Sequence, residues 1–233
     1  MGVINGFIIQ TTKKTNRIIM IEKNITISES LGGMLEQMDE QQTQIVRDMF
    51  KHYMEQYTEL RVTNNAETVS SAIHDTVSRA MNESIMKSEH KISCQRGCSL
   101  CCFQRVDISD DEATLLLSYS KEISYVIDYE ILERQSKTKN VKEFNTLRPR
   151  HRRCVFLNED NECGVYEHRP NSCRKLVVIS SPDLCDTVKN KGAEIGKLVD
   201  IEAEVITSSS LNVRESGSLA EMILKQSNGE KSN

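Results

Sequence analysis

The chain has no tryptophan and only five phenylalanines and three prolines in 233 residues. A core built from it must therefore be aliphatic and methionine-rich. Its apolar runs stop far short of the roughly 20 residues a membrane-spanning helix needs. Met1-Gly2-Val3-Ile4-Asn5-Gly6 lacks the basic-then-apolar order of a secretory leader, and Gly6 stands where a myristoylation signal needs serine or threonine. Thirty basic residues against 34 acidic ones give a formal charge of −4, with no cationic excess to attract nucleic acid or an anionic membrane. These absences lead us to expect a soluble, cytoplasmic protein without membrane or nucleic-acid partners. Its length suits one domain or two small ones.

Cysteine is also missing from most of the chain, and where it occurs it is dense. All eight cysteines fall between residues 94 and 185, four of them within Cys94-Gln95-Arg96-Gly97-Cys98-Ser99-Leu100-Cys101-Cys102. Cys154, Cys163, Cys173 and Cys185 form a second group. Thiolate sulfur is a soft ligand that selects zinc, copper(I) or iron–sulfur clusters. The first group places several sulfurs within one or two turns of backbone, where a metal ion collects them at little cost in chain entropy. Four disulfides are the competing account, but such scaffolds are usually shorter, secreted and evenly spread. Buried thiols acting as small hydrophobes would explain one or two cysteines, not four in nine residues. Metal binding is the expectation, with Cys94, Cys98, Cys101, Cys102, Cys154, Cys163, Cys173 and Cys185 as candidate ligands.

Elsewhere the pattern is helical. From Ser30, the residues Leu31, Leu35, Met38, Ile45, Met49, Tyr53, Tyr57 and Leu60 form one stripe. A second helix is expected from Asn64, with Glu67 as its capping partner, and carries Val69, Ile73, Val77, Met81 and Ile85. Such stripes pack into a core or against a partner protein. Ser109-Asp110-Asp111-Glu112 is a capping box that opens a further helix, and Tyr125 to Arg134 reads as another. Cys154-Val155-Phe156-Leu157 and Gly164-Val165-Tyr166 flank a polar turn and suggest a short hairpin. Lys189 to Ile206 returns to a helical pattern, Ser218 caps a last helix, and Ser227 onward reads as a frayed tail. Residues 1–25 suggest a hairpin, or a later start at Met20.

The second group sits in Cys163-Gly164-Val165-Tyr166-Glu167-His168-Arg169-Pro170-Asn171-Ser172-Cys173-Arg174. Together with Cys-x3-Cys-x2-Cys-Cys, Cys154-Val155-Phe156-Leu157 and the final Cys185, it resembles the cysteine-cluster family of zinc- or iron-chelating proteins (the YkgJ type). The resemblance covers about 94–185. It departs in having three residues between the first two cysteines, where members often have two, and Ser99 where they carry glycine. It implies metal chelation. A related cluster occurs in flagellin lysine N-methylase, but no other segment of this chain matches that enzyme.

Cys94-x3-Cys98-x2-Cys101 also has the spacing of the radical S-adenosylmethionine signature. Leu100 stands where that signature carries an aromatic residue, and the chain beyond it is too short for a barrel of about 200 residues or more. His90, His151 and His168 flank the cysteines but are not needed as ligands among eight thiols. His52 and His74 carry no signal. Across 94–185, 14 Lys and Arg stand against 14 Asp and Glu, so the basic run Arg148 to Arg153 is local and offset; neutralising thiolates or donating to sulfur suits Arg152, Arg153, Arg169 and Arg174 at least as well as binding phosphate.

The expected fold is mainly α: a helical N-terminal extension (1–90), a cysteine-cluster metal-binding module with a short β-hairpin (91–186), and a helical C-terminal tail (187–233). The expected function is chelation of zinc or iron, including a [4Fe–4S] cluster, with a protein partner on the N-terminal helices. The alternative is an iron–sulfur metalloenzyme of protein modification, lysine methylase-like or radical S-adenosylmethionine-like.

Overall fold

The computed structural model describes residues 27–190 and 192–230. The hairpin expected within 1–25 lies outside them. Helix α1 (Glu29–Leu35) starts on Ser28, whose hydroxyl accepts from the Leu31 amide. A capping box of Asp39 and Gln42 then opens α2 (Glu40–Thr63), each side chain satisfying an orphan amide of the other end. The single stripe expected from Ser30 to Leu60 is thus two helices. Leu31, Leu35, Tyr53 and Tyr57 are buried as expected, but after the break Val46 and Phe50 turn inward while Ile45 is 47% exposed. Helix α3 (Ala66–Lys87) is capped by Asn65, not Asn64, whose side chain takes the Thr68 amide at 2.9 Å. Glu67 instead accepts from the Ser118 hydroxyl at 2.9 Å.

Strand β1 (Asp107–Ser109) leads into α4 (Asp110–Glu122) through the expected Ser109–Glu112 capping box. Helix α5 (Tyr129–Ser136) begins later than Tyr125, because Asp128 is the cap, accepting from the Ile131 amide at 3.1 Å. Two short helices, α6 (Val141–Phe144) and α7 (Pro149–Arg152), precede the polar turn. Around that turn Leu157 and Cys163 pair as one antiparallel bridge, and Gly164 N–H donates to Phe156 at 2.7 Å. The hairpin is present in its shortest form, with Asn161 at φ 60° making the turn.

After α8 (Asn171–Arg174), strand β2 (Val177–Val178) pairs antiparallel with β3 (Lys197–Leu198). The helix expected from Lys189 starts only at α9 (Ile201–Val213), where Asp200 accepts from the Ala203 amide at 2.7 Å. Strand β4 (Ser216–Ser218) pairs antiparallel with β1, and α10 (Leu219–Glu230) follows it. The frayed tail expected from Ser227 is helical through Glu230. Ser227 is buried and lies 3.2 Å from the Tyr129 hydroxyl on α5.

Two apolar cores result. One gathers Leu31, Phe50, Val77 and Ile206 from α1, α2, α3 and α9; the other gathers Leu116, Leu132, Phe156 and Ile223 from α4, α5, the bridged turn and α10. Each of these side chains is 1% exposed or less, and burying one contributes about 1.5–3 kcal/mol. Helix α9 is buried from Ala203 through Ser210. It can be central because the Thr207 and Ser210 hydroxyls donate back to carbonyls within the helix, at 2.8 Å each. Among the described residues no helix is long and apolar enough to cross a membrane.

Candidate metal centre

The first cysteine group is anchored on β2. Ser93 N–H donates to Val178 at 2.8 Å, and Val178 N–H donates to the Cys94 sulfur at 3.1 Å. A turn then joins Gln95 to Cys98, with Gly97 at φ 86°, a conformation that favours glycine. Leu100–Phe103 form a 3₁₀ turn that carries Cys101 and Cys102. The second group is tied to the first through the main chain: Cys154 N–H donates to the Cys102 carbonyl at 2.8 Å. Cys163 sits at the bridge, Cys173 rides on α8, and Cys185 ends a 3₁₀ turn (Pro182–Cys185) in contact with the Leu100–Phe103 turn.

All eight cysteines line one cavity of about 600 Å³. Its walls also include Ile85 of α3, Thr207 and Ser208 of α9, and Leu219 and Ala220 of α10. All eight thiols are free. They line the walls without meeting at a point: among the described residues no three His, Cys, Asp or Glu side chains are gathered closely enough to hold one ion.

Burial pushes the Cys154 thiol from its ordinary 9.0 up to about 12 and Cys185 up to about 11, with neighbouring thiols adding to both. Burial also raises Cys94, Cys163 and Cys173. Opposing this, the Phe156 and Val165 amides donate to Cys154 and Cys163. Cys101 accepts a hydrogen bond from Cys102 and is held down to about 7, while Cys102 is driven up by the same bond. The Arg169 guanidinium favours the thiolate of Cys94, Cys101, Cys163 and Cys173. Bare thiolates are thus penalised by burial and by one another, a penalty that a cation among them removes. Soft donors in one cavity, with amide and guanidinium support, fit zinc or iron.

None of His90, His151 and His168 lines this cavity. His151 accepts from Arg150 at 3.0 Å, and His168 stacks on Tyr119 at 4.3 Å. The arginines divide. Arg152 donates to the Phe103 carbonyl at 3.0 and 3.2 Å. Arg153 donates to Leu157 at 2.8 Å, and its charge also favours the Cys154 thiolate. Arg174 donates to Ser78 at 3.1 Å. Arg169 therefore comes nearest to the thiolate-facing role expected of all four.

One group escaped sequence reasoning. His74 of α3 donates from Nε2 to Glu112 at 3.2 Å, and the same carboxylate accepts from the Asn171 amide at 2.8 Å and the Ser109 amide at 3.1 Å. Burial pushes Glu112 up, but these donors outweigh it and hold the carboxyl below its ordinary value. Arg174 faces His74 Nδ1 at 3.5 Å, which suits the Nε2–H tautomer. This buried network locks α8, and with it Cys173, onto α3 and α4. The available signal was the position of His74 beside Ile73 in an apolar stripe, where a polar side chain needs a buried partner.

Fold and cavity together define a mainly helical protein with a cysteine-rich segment around one cavity. Residues 93–191 match the model of the CxxCxxCC family, described as a "putative zinc- or iron-chelating domain". The matched segment contains all eight cysteines, and the match is the one its motifs led us to expect. No curated protein and no solved structure matches the chain.

Proposed function

We propose that this protein chelates zinc or iron in the cytoplasm, with Cys94, Cys98, Cys101, Cys102, Cys154, Cys163, Cys173 and Cys185 as the donor set. The observation that carries this reading is that cysteines from both sequence groups open on a single cavity. Eight thiolates exceed what one tetrahedral zinc uses, whereas two zinc ions or an iron–sulfur centre accommodate more of them. The adjacent pair Cys101 and Cys102 suits a centre with several metal atoms, since their sulfurs need not reach the same one. Iron is the favoured metal in the absence of oxygen, and zinc after aerobic overexpression. The protein-modifying alternative gains no support from the fold. The described residues hold two two-stranded antiparallel sheets and no parallel β-strand pair.

Metal analysis, sulfide assay and absorption spectroscopy after anaerobic purification test the proposal. Brown, oxygen-sensitive protein with acid-labile sulfide supports iron–sulfur binding. Colourless protein with stoichiometric zinc and no sulfide replaces iron with zinc. Anaerobic protein that takes up neither metal refutes chelation.

A further inference from the structure

The cavity that receives the cysteines is also lined by cationic side chains, and most of these are committed elsewhere. Arg105 pairs with Asp107 at 3.0 Å, Arg152 donates to the Phe103 carbonyl, Arg174 donates to Ser78, and Lys175 pairs with Glu204. Lys197 and Arg169 differ, since among the described residues no carboxylate pairs with either. The Arg169 Nε, like that of Arg174, is buried without a hydrogen-bond partner, and among the described residues the rest of the Arg169 guanidinium makes no hydrogen bond either. The side chain is nevertheless held in place. The guanidinium carbon lies 4.1 Å from the centroid of the Tyr166 ring, a cation–π seat. The backbone is pinned as well: Arg169 N–H donates to Tyr166 at 3.3 Å, and Pro170 holds Arg169 extended at ψ 143°. A fixed, partly desolvated cation with an unused donor thus stands in the wall of a cavity that thiols from both sequence groups also line.

We propose that Arg169 is a positioning residue of the metal–thiolate centre. It provides the fixed positive charge and the spare N–H donor that offset the negative charge of the loaded sulfurs. This rests on the reading that the cysteines take up metal. Arg96 provides an internal control. It lies over the same Tyr166 ring at 4.9 Å, but it pairs with Glu167 at the surface at 3.2 Å and does not line the cavity.

The test uses the full-length protein and its R169Q, R169K and R96Q variants. Cobalt(II) and zinc(II) are the probes: cobalt–thiolate absorption reports the coordination, and competition with a chromophoric chelator gives affinity. R169Q is expected to bind about 10–100-fold more weakly, as loss of an outer partner of ligands typically does. R169K, with the charge but not the planar fork, is expected to fall between R169Q and wild type. R96Q should stay within about threefold of wild type, as befits an exposed pair. Circular dichroism of the metal-free forms separates loss of fold from loss of affinity. If R169Q does not fold, R169K decides alone, and wild-type affinity in it overturns the donor role. Equal affinity of a folded R169Q and wild type overturns the proposal while leaving chelation intact. Failure of wild type to bind either ion removes the chelation reading itself.

Discussion

Replacing Glu112 by alanine deletes the acceptor on which three elements converge. The carboxylate is 2% exposed and serves His74 on α3, the amide of Ser109 at the start of α4, and the amide of Asn171 at the start of α8. E112A strands all three donors away from water, and removing one partner from a buried network of this kind costs about 3–5 kcal/mol. E112Q keeps an acceptor oxygen but turns an NH₂ group toward at least one N–H donor, so it should cost less, about 1–3 kcal/mol. Urea unfolding of the metal-free protein measures both, and the E112A/H74A double mutant should show a coupling of about 0.5–3 kcal/mol. Acid provides a second reading. The folded carboxyl lies below its ordinary 4.5, so its stabilisation is complete above that pH and disappears as pH falls through the folded value. E112Q should flatten this acid limb. Because α8 carries Cys173, E112A should also weaken metal uptake. A loss below about 1 kcal/mol in E112A, with the acid limb unchanged in E112Q, would refute the network's role.

Other expectations follow from the same geometry. Hydrogen exchange with and without chelator should show metal protecting residues 94–185 far more than α2 and α3, since metal-coupled folding contributes on the order of 10 kcal/mol in small thiolate sites; equal protection in both conditions would contradict this. In the metal-free protein, the raised thiols of Cys154 and Cys185 favour the fold while they stay neutral. Thermal stability should therefore hold below pH 9 and decline between about 9 and 12, a loss that C154S should reduce. A Cβ on Gly164 would lie 2.3 Å from Tyr125 Cε2, so G164A should cost about 1–3 kcal/mol. Y125A in the same chain should return part of that loss; no return would place the strain elsewhere.

Local signals in the sequence were sufficient for much of the helical content. The Ser109–Glu112 capping box, the Ser218 cap and the stripe Val69, Ile73, Val77 and Met81 all appear where their patterns place them, because capping and amphipathic periodicity act over only three or four residues. Boundaries failed where competing caps lay close together, as with Asp39, Asn65, Asp128 and Asp200. Choosing among neighbouring Asn and Asp residues depends on what each helix then packs against. The dense cysteine motif likewise pointed to the zinc- or iron-chelating domain model that residues 93–191 match, since such a motif is a property of residue type and spacing. Tertiary structure alone brought the two cysteine groups, some fifty residues apart, onto one cavity, by tying Cys94 to β2 and Cys154 to the Cys102 carbonyl. It also singled out Arg169 from four arginines of equal promise and gave His74 a partner 38 residues away. Those outcomes depend on which donors are left unpaired after the chain has packed, and that is decided by contacts distant in sequence.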